Sequence, residues 1–263
     1  QLMQGVKVIV IDPEREYKRL TESVNGTYIK LSAKSKQKIN PFDLATTFHK
    51  ISDLSEHAQD LTEVISLMAE GLSSREKAAV DKAILKIYKK AKNQQPLLED
   101  LYAELQSLGQ LKLCERLEKY ISGSLADVFN AQTNIKLDNR LVIFDIKDLP
   151  ESLRQIMMLI ISNFVKNQVM AKPEKRLLII DEGWMLLEHE ESARFVAGLV
   201  RRARKYYLGV SIISQQANDF LRSDYGRAIA SQSALRILMR QDTTTIKNVV
   251  SEFNLSEYEQ GFL

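Results

Sequence analysis

At 263 residues, 44% hydrophobic and 27% charged, the chain is long enough for one large α/β domain or a domain with an inserted module, and its composition is that of an ordinary globular protein. The net charge of +3, from 37 Lys and Arg against 34 Asp and Glu, is too small to argue by itself for a surface that tracks nucleic acid. One cysteine, Cys114, excludes an internal disulfide framework and fits a reducing compartment. It lies in an apolar-periodic helical segment and reads as a buried thiol. His49, His57 and His189 are scattered without metal-ligand spacing, so no zinc site is expected. No apolar stretch approaches the ~20 residues needed to span a bilayer, and the longest, 156–165, is interrupted by Ser162 and Asn163. No signal peptide is visible, and residue 1 is not Met.

Along the chain, Gln1 to Gly5 reads as the last turn of a helix closed by a glycine cap. Val6 to Ile11 is a β-branched run stopped by Asp12-Pro13, Thr27 to Leu31 alternates as a short strand, and Asn40-Pro41-Phe42-Asp43 is a turn. From about 46 to 133 the pattern is helical only. Leu61, Val64, Ile65 and Met68 recur at helical spacing, and Ser73-x-x-Glu76 is a capping box ahead of Val80, Ile84, Ile87 and Tyr88. Pro96 opens a leucine-rich helix, and a further amphipathic stretch runs from Leu111 to Ile121. After 134, strands and helices alternate: strands at Leu141 to Ile146, Leu177 to Asp181, Gly209 to Ser214 and Leu235 to Met239, and helices at Glu151 to Val169 and Ser192 to Tyr206. This rhythm predicts a parallel sheet covered by helices on both faces. The chain divides into a first core part (1–45), an all-helical insertion (46–133) and a second core part (134–263).

The chemistry gathers at predicted strand ends. Leu177-Leu178-Ile179-Ile180 runs straight into Asp181-Glu182, Asp12 to Tyr17 follows the first strand, Ser214-Gln215-Gln216 closes another, and Arg240-Gln241-Asp242 closes the last. In a parallel sheet such ends share one edge, where open α/β folds bind ligands. A nucleoside triphosphate site uses an acid to anchor Mg²⁺ through water, a second acid to activate water, and an amide to sense the γ-phosphate. Polar strand ends also occur in α/β folds for no catalytic reason. Arg201-Arg202-Ala203-Arg204-Lys205 reads either as cations on the negative end of a helix dipole or as the source of an arginine finger, with Arg236 and Arg240 as competitors for that role. Lys34, Lys36 and Lys38 read as a solvent-facing patch. The phosphate-cradling Gly-x-x-x-x-Gly-Lys-Ser/Thr is not in this sequence, since none of its ten glycines is followed by Lys.

These motifs together resemble the motor domain of type IV secretion and conjugation ATPases, the CagE/TrbE/VirB-type proteins of the FtsK/HerA superfamily. The family's Asp-Pro-Glu-x-Glu-Tyr is matched by Asp12, Pro13, Glu14, Glu16 and Tyr17, and its Asn-Pro-Phe turn by Asn40, Pro41 and Phe42. Its Walker B strand with Asp-Glu-x-Trp-x-Leu-Leu is matched by Asp181, Glu182, Trp184, Leu186 and Leu187. Arg204-Lys205, then Ser214, Gln215, Asp219 and Phe220, follow in the family's order, and the helical insertion after Asn-Pro-Phe is also a family feature. The match runs from residue 8 to about 240.

The resemblance implies a RecA-like P-loop NTPase sheet flanked by helices, hydrolysing ATP with Mg²⁺ to drive assembly of, or transport through, a type IV secretion apparatus. It implies that Asp181 holds the Mg²⁺ shell through water, Glu182 activates water, Gln215 senses the γ-phosphate and Arg204 acts in trans. Asp12, Glu16, Arg236 and Arg240 are further nucleotide-side candidates. Implied partners are other secretion components and further copies of the chain, as a hexamer, or a monomer or dimer in isolation, at the cytoplasmic face of the bacterial inner membrane. Direct DNA binding is not indicated by the charge balance. A DNA-translocating coupling or FtsK-type motor, and a non-catalytic docking fragment, are the alternatives. The family's Walker A lies one helix upstream of the first strand here, so the sequence reads as truncated on its N-terminal side, and Gly261-Phe262-Leu263, in a helical run, reads as truncated there too. Alone, such a piece is expected to be inactive.

Overall fold

Five apolar runs become strands of one parallel sheet: β1 (Lys7–Asp12), β2 (Thr27–Lys30), β3 (Leu141–Asp145), β4 (Arg176–Ile180) and β5 (Leu208–Ile212), in the order β2-β3-β1-β4-β5. The computed structural model describes residues 1–44, 51–91, 94–240 and 246–263. Register sets the two faces: Ile9, Val142 and Leu178 lie side by side on one, and Val10, Ile143 and Ile179 on the other. All of β3 is buried, as expected of an internal parallel strand packed on both faces.

Between β1 and β2 lies α1 (Lys18–Ser23). Between β2 and β3 the described regular elements are helices: α2 (Ile51–Met68), α3 (Ser74–Lys90), α4 (Leu98–Ser107), α5 (Leu111–Leu117) and α6 (Ala126–Phe129), with a short 3-10 turn after α5. The Ser73 capping box forms as predicted: its hydroxyl accepts from the Glu76 N–H while the Glu76 carboxylate accepts from the Ser73 N–H. Buried Leu61, Ile65, Ile84 and Leu105 of this insertion belong to the same apolar cluster as Phe144 of β3 and Ile160 of α7 (Glu151–Ala171). The insertion therefore shares the main core. Cys114 is buried within it, and burial pushes its thiol up, as fits a packed thiol rather than a nucleophile.

The two sheet faces are unequal. One carries α7, α9 (Glu190–Ala203) and the insertion, whereas on the other Val8, Val10, Leu141 and Ile143 form a small cluster with Leu2, Tyr17, Tyr28, Leu177 and Ile179. The first residues form a 3-10 turn, Leu2–Gln4, closed by Gly5 at φ 76, the glycine cap read from the sequence.

After β5 come α10 (Asn218–Leu221), α11 (Asp224–Gln232), α12 (Ile246–Phe253) and α13 (Glu257–Gln260). The strand expected at Leu235 to Met239 does not form. Leu235, Ile237 and Met239 lie outside any helix or strand and are more than three-quarters exposed, and among the described residues no strand pairs with them or with the outer edge of β5. An apolar run becomes a strand only when a neighbouring strand pairs with its backbone, and among the described residues no strand does so here. Of the predicted cluster closing this run, Arg240 is exposed and off the sheet, while Gln241 and Asp242 lie outside the described residues, as does His49.

Candidate nucleotide site at the carboxyl ends of β1, β4 and β5

Because β1, β4 and β5 are parallel neighbours, their carboxyl ends bring three of the four predicted polar clusters to one edge. The N–H of Asp181 donates to the Ile11 carbonyl (3.2 Å) and that of Ile213 to the Ile180 carbonyl (2.9 Å), so pairing continues to the point where the acids begin.

Asp181 is buried, at 7% exposure, and accepts from the Glu182 N–H at 3.1 Å. Burial, then the charges of Glu182, Glu16 and Asp12, pushes its carboxyl above the usual range despite that hydrogen bond. Tyr17 lies close by: burial, then the nearby Asp181 carboxylate, pushes its phenol up to about 12. A buried acid crowded by like charges gains from a cation, and Mg²⁺ characteristically uses only one or two protein carboxylates with substrate phosphates. Asp181 fits that role. Among the described residues no group of three or more His, Cys, Asp or Glu could hold a metal.

Glu182 adopts φ 49, a left-handed conformation uncommon for a non-glycine residue. Both carboxylate oxygens are engaged: Oε2 accepts from Trp184 Nε1 at 2.6 Å, and Oε1 from Gln215 Nε2 at 2.8 Å. Gly183 between them is required by space, since a Cβ there would lie 2.2 Å from Ile212 Cγ2. Gln215 follows β5 in a loop where the Ser214 hydroxyl bonds the Asp219 carboxylate.

The other predicted residues sort differently. Glu16 is exposed and close enough to influence Asp181. Asp12 is fully buried, and its two oxygens accept from the backbone N–H groups of Glu16 and Tyr17, both at 3.1 Å, so it shapes the loop rather than facing a ligand. Arg236 is committed to the Ala230 carbonyl (2.9 Å) and to the ring of Phe253, at the far end of α11. Arg204 is exposed in the turn before β5, at the amino edge of the sheet. A five-residue strand, about 16 Å, separates it from the acids of its own chain. Arg202 is paired with Glu56 of α2 at 2.5 Å.

Sequence reasoning passed over Asp145, which closes β3 beside this edge. Buried, it accepts from Arg15 Nε (2.7 Å) and the Tyr28 hydroxyl (2.8 Å), and Arg15 continues to Asp148 at 2.6 Å. Its signal was an acid ending an apolar run, the same pattern as at Asp181.

A parallel sheet that presents adjacent acids at one strand end and an amide at the next has the ligand-facing edge of a P-loop-type α/β fold. The chain matches the TraG P-loop domain family over residues 1–262, and it belongs to that family. It is 27% identical over 176 residues to the type IV secretion system protein virB4 of Bartonella quintana, covering 62% of this chain and 22% of that protein. It is 24% identical over 274 residues to protein TraC of Escherichia coli, covering 91% of this chain and 30% of that one. The chain thus spans less than a third of these relatives. Among solved structures, VirB4 of Thermoanaerobacter pseudethanolicus superposes with a TM-score of 0.86 at 26% identity, covering 98% of this chain and 76% of that one. The conjugative coupling protein TrwB, with sulphate, shares the fold with a TM-score of 0.60 at 13% identity, covering 95% of this chain and 68% of that one. The resemblance read from the ordered motifs and the RecA-like fold it implied are borne out.

Proposed function

We propose that this chain is the metal- and water-handling part of a VirB4/TraC-type ATPase that energises a type IV secretion or conjugation apparatus. The observation that carries the proposal is the placement of Glu182 beside Asp181 at the end of β4, joined to Gln215 at the end of β5. Asp181 would hold the Mg²⁺, Glu182 would take the proton of the attacking water, and Gln215 would report the γ-phosphate. When bound, Mg²⁺ supplies charge neutralisation on the phosphates.

No Gly-x-x-x-x-Gly-Lys-Ser/Thr occurs in these 263 residues, so the residues assigned here handle metal, water and γ-phosphate sensing and not the phosphate cradle. Arg204, too far from the acids of its own chain, completes the site of a neighbouring copy in an oligomer, and 46–133 is an inserted subdomain available to other secretion components. Among the described residues no helix is long and apolar enough to cross a membrane, so attachment to the inner membrane's cytoplasmic face would come through other proteins or segments.

The test is phosphate release from ATP by the full-length protein, with and without EDTA and with added DNA. Mg²⁺-dependent release independent of DNA is expected. Absence of hydrolysis overturns the proposal, and steep, salt-sensitive stimulation by DNA would replace it with a DNA-translocating motor.

A further inference from the structure

The two donors that hold Glu182 differ in how they are themselves held. Trp184 opens α8 (Trp184–Leu187), whose next three residues are buried, and the Met185 carbonyl of that helix accepts from Gln155 Nε2 of α7 at 2.7 Å. The indole is half-buried against the main core. Gln215, by contrast, is exposed and sits on a loop. The backbone of Glu182 is fixed in a left-handed turn whose next residue cannot carry a side chain, so Trp184 folds back onto the residue two before it.

We infer that Trp184 is a positioning residue for Glu182: its indole N–H is the permanent anchor of Oε2, and Gln215 is the releasable partner of Oε1. A general base needs one lone pair aimed at the water it deprotonates. With Oε2 fixed by a rigid donor, Oε1 becomes the working oxygen when Gln215 turns away to a ligand. The same pair that holds the base in place thus assigns each oxygen its task. The inference rests on the reading of Glu182 as the water-activating group.

The alternative is that Trp184 only fills space, and Trp184→Phe separates the two, because it keeps an aromatic ring and removes the N–H. In the full-length protein, Trp184→Phe is expected to lower kcat ~10-fold, the scale of one charge-assisted hydrogen bond, with KM for ATP within about two-fold of wild type. Combined with Glu182→Gln it should cost no more than Glu182→Gln alone. Wild-type kcat in Trp184→Phe, beside an inactive Glu182→Gln, overturns the inference and leaves the proposed function standing. Wild-type turnover in Glu182→Gln instead removes the proposed function. A second readout covers a Trp184→Phe protein that does not fold. The indole N–H-sensitive Raman band of Trp184, the only tryptophan in these 263 residues, should report a strong hydrogen bond that weakens in Glu182→Gln. An unchanged band overturns the inference.

Discussion

The side-chain amide of Gln215, at the end of β5, donates to Oε1 of Glu182, at the end of β4, across 2.8 Å. The contact exists because the two strands are hydrogen-bonded neighbours in matched register, Ile180 beside Ile212, so that residues just past their ends meet. It joins the proposed γ-phosphate sensor directly to the proposed base. A Gln215→Ala protein is therefore expected to bind ATP within a few-fold of wild type while kcat falls ~10- to 100-fold, as measured by steady-state phosphate release. A change confined to KM would place Gln215 in simple binding.

Asp181 is stabilised in its protonated form by burial and by the charges of Glu182, Glu16 and Asp12. A raised native value means the folded state binds this proton more tightly than the unfolded chain. The associated stability is present at low pH and is lost as pH rises through the native value. At neutral pH without Mg²⁺ the ionised side chain is thus a burden. Asp181→Asn, which can still accept from the Glu182 N–H, should raise the melting temperature by roughly 2–4 °C and abolish Mg²⁺-dependent hydrolysis. Unchanged hydrolysis in this variant would contradict the metal assignment.

His57 is 2% exposed, with Nε2 2.7 Å from the Tyr88 hydroxyl and Nδ1 3.3 Å from the Asn167 amide. Burial, then the charge of Lys166, pushes it down to about 3. Asp43, whose carbonyl accepts from Asn167, and Asp60, bound by Lys166, complete its charged surroundings. The native ring stays neutral while the unfolded chain protonates near pH 6.5, so its contribution is full above pH 6.5 and declines toward pH 3. Stability should fall by about 1.4 kcal/mol per pH unit from this group, and His57→Gln should remove that slope in melting curves between pH 4 and 6. Parallel slopes in the two proteins would contradict it.

Lys166 of α7 is buried between Asp60 and Glu56 of α2, with Glu56 Oε1 at 2.6 Å, and Glu56 also pairs with Arg202 of α9. This is the polar joint between the insertion and the helix leading to Arg204. Lys166→Met leaves buried Asp60 without its cation and Glu56 with Arg202 alone, and should cost about 3–5 kcal/mol. Adding Asp60→Asn should recover part of that loss in thermal melts. Strictly additive losses would show that the three groups do not act together.

Much of the fold was legible because internal parallel strands must be apolar on both faces, which made β1, β3 and β4 continuous runs, and because glycine and serine marked caps at Gly5 and Ser73. The polar edge followed from strand ends. Leu235 to Met239 misled because its composition is that of a strand, while strand formation depends on a neighbour that composition does not record. Asp12 and Arg236 carry suitable chemistry, yet local backbone groups claim their side chains, an outcome set by loop geometry. The bond from Trp184 to Glu182 depends on a positive φ at Glu182 and on the Ile212 methyl over Gly183, neither of which a motif displays. The joint at Lys166 unites residues more than 100 positions apart.

The central claim is that Glu182 activates water while other groups hold the nucleotide. The most direct test compares ATP affinity and turnover in full-length wild type and Glu182→Gln, which keeps the side-chain shape and removes the base. Unchanged affinity with turnover reduced ~10²-fold or more is expected. Wild-type turnover in Glu182→Gln would contradict the account.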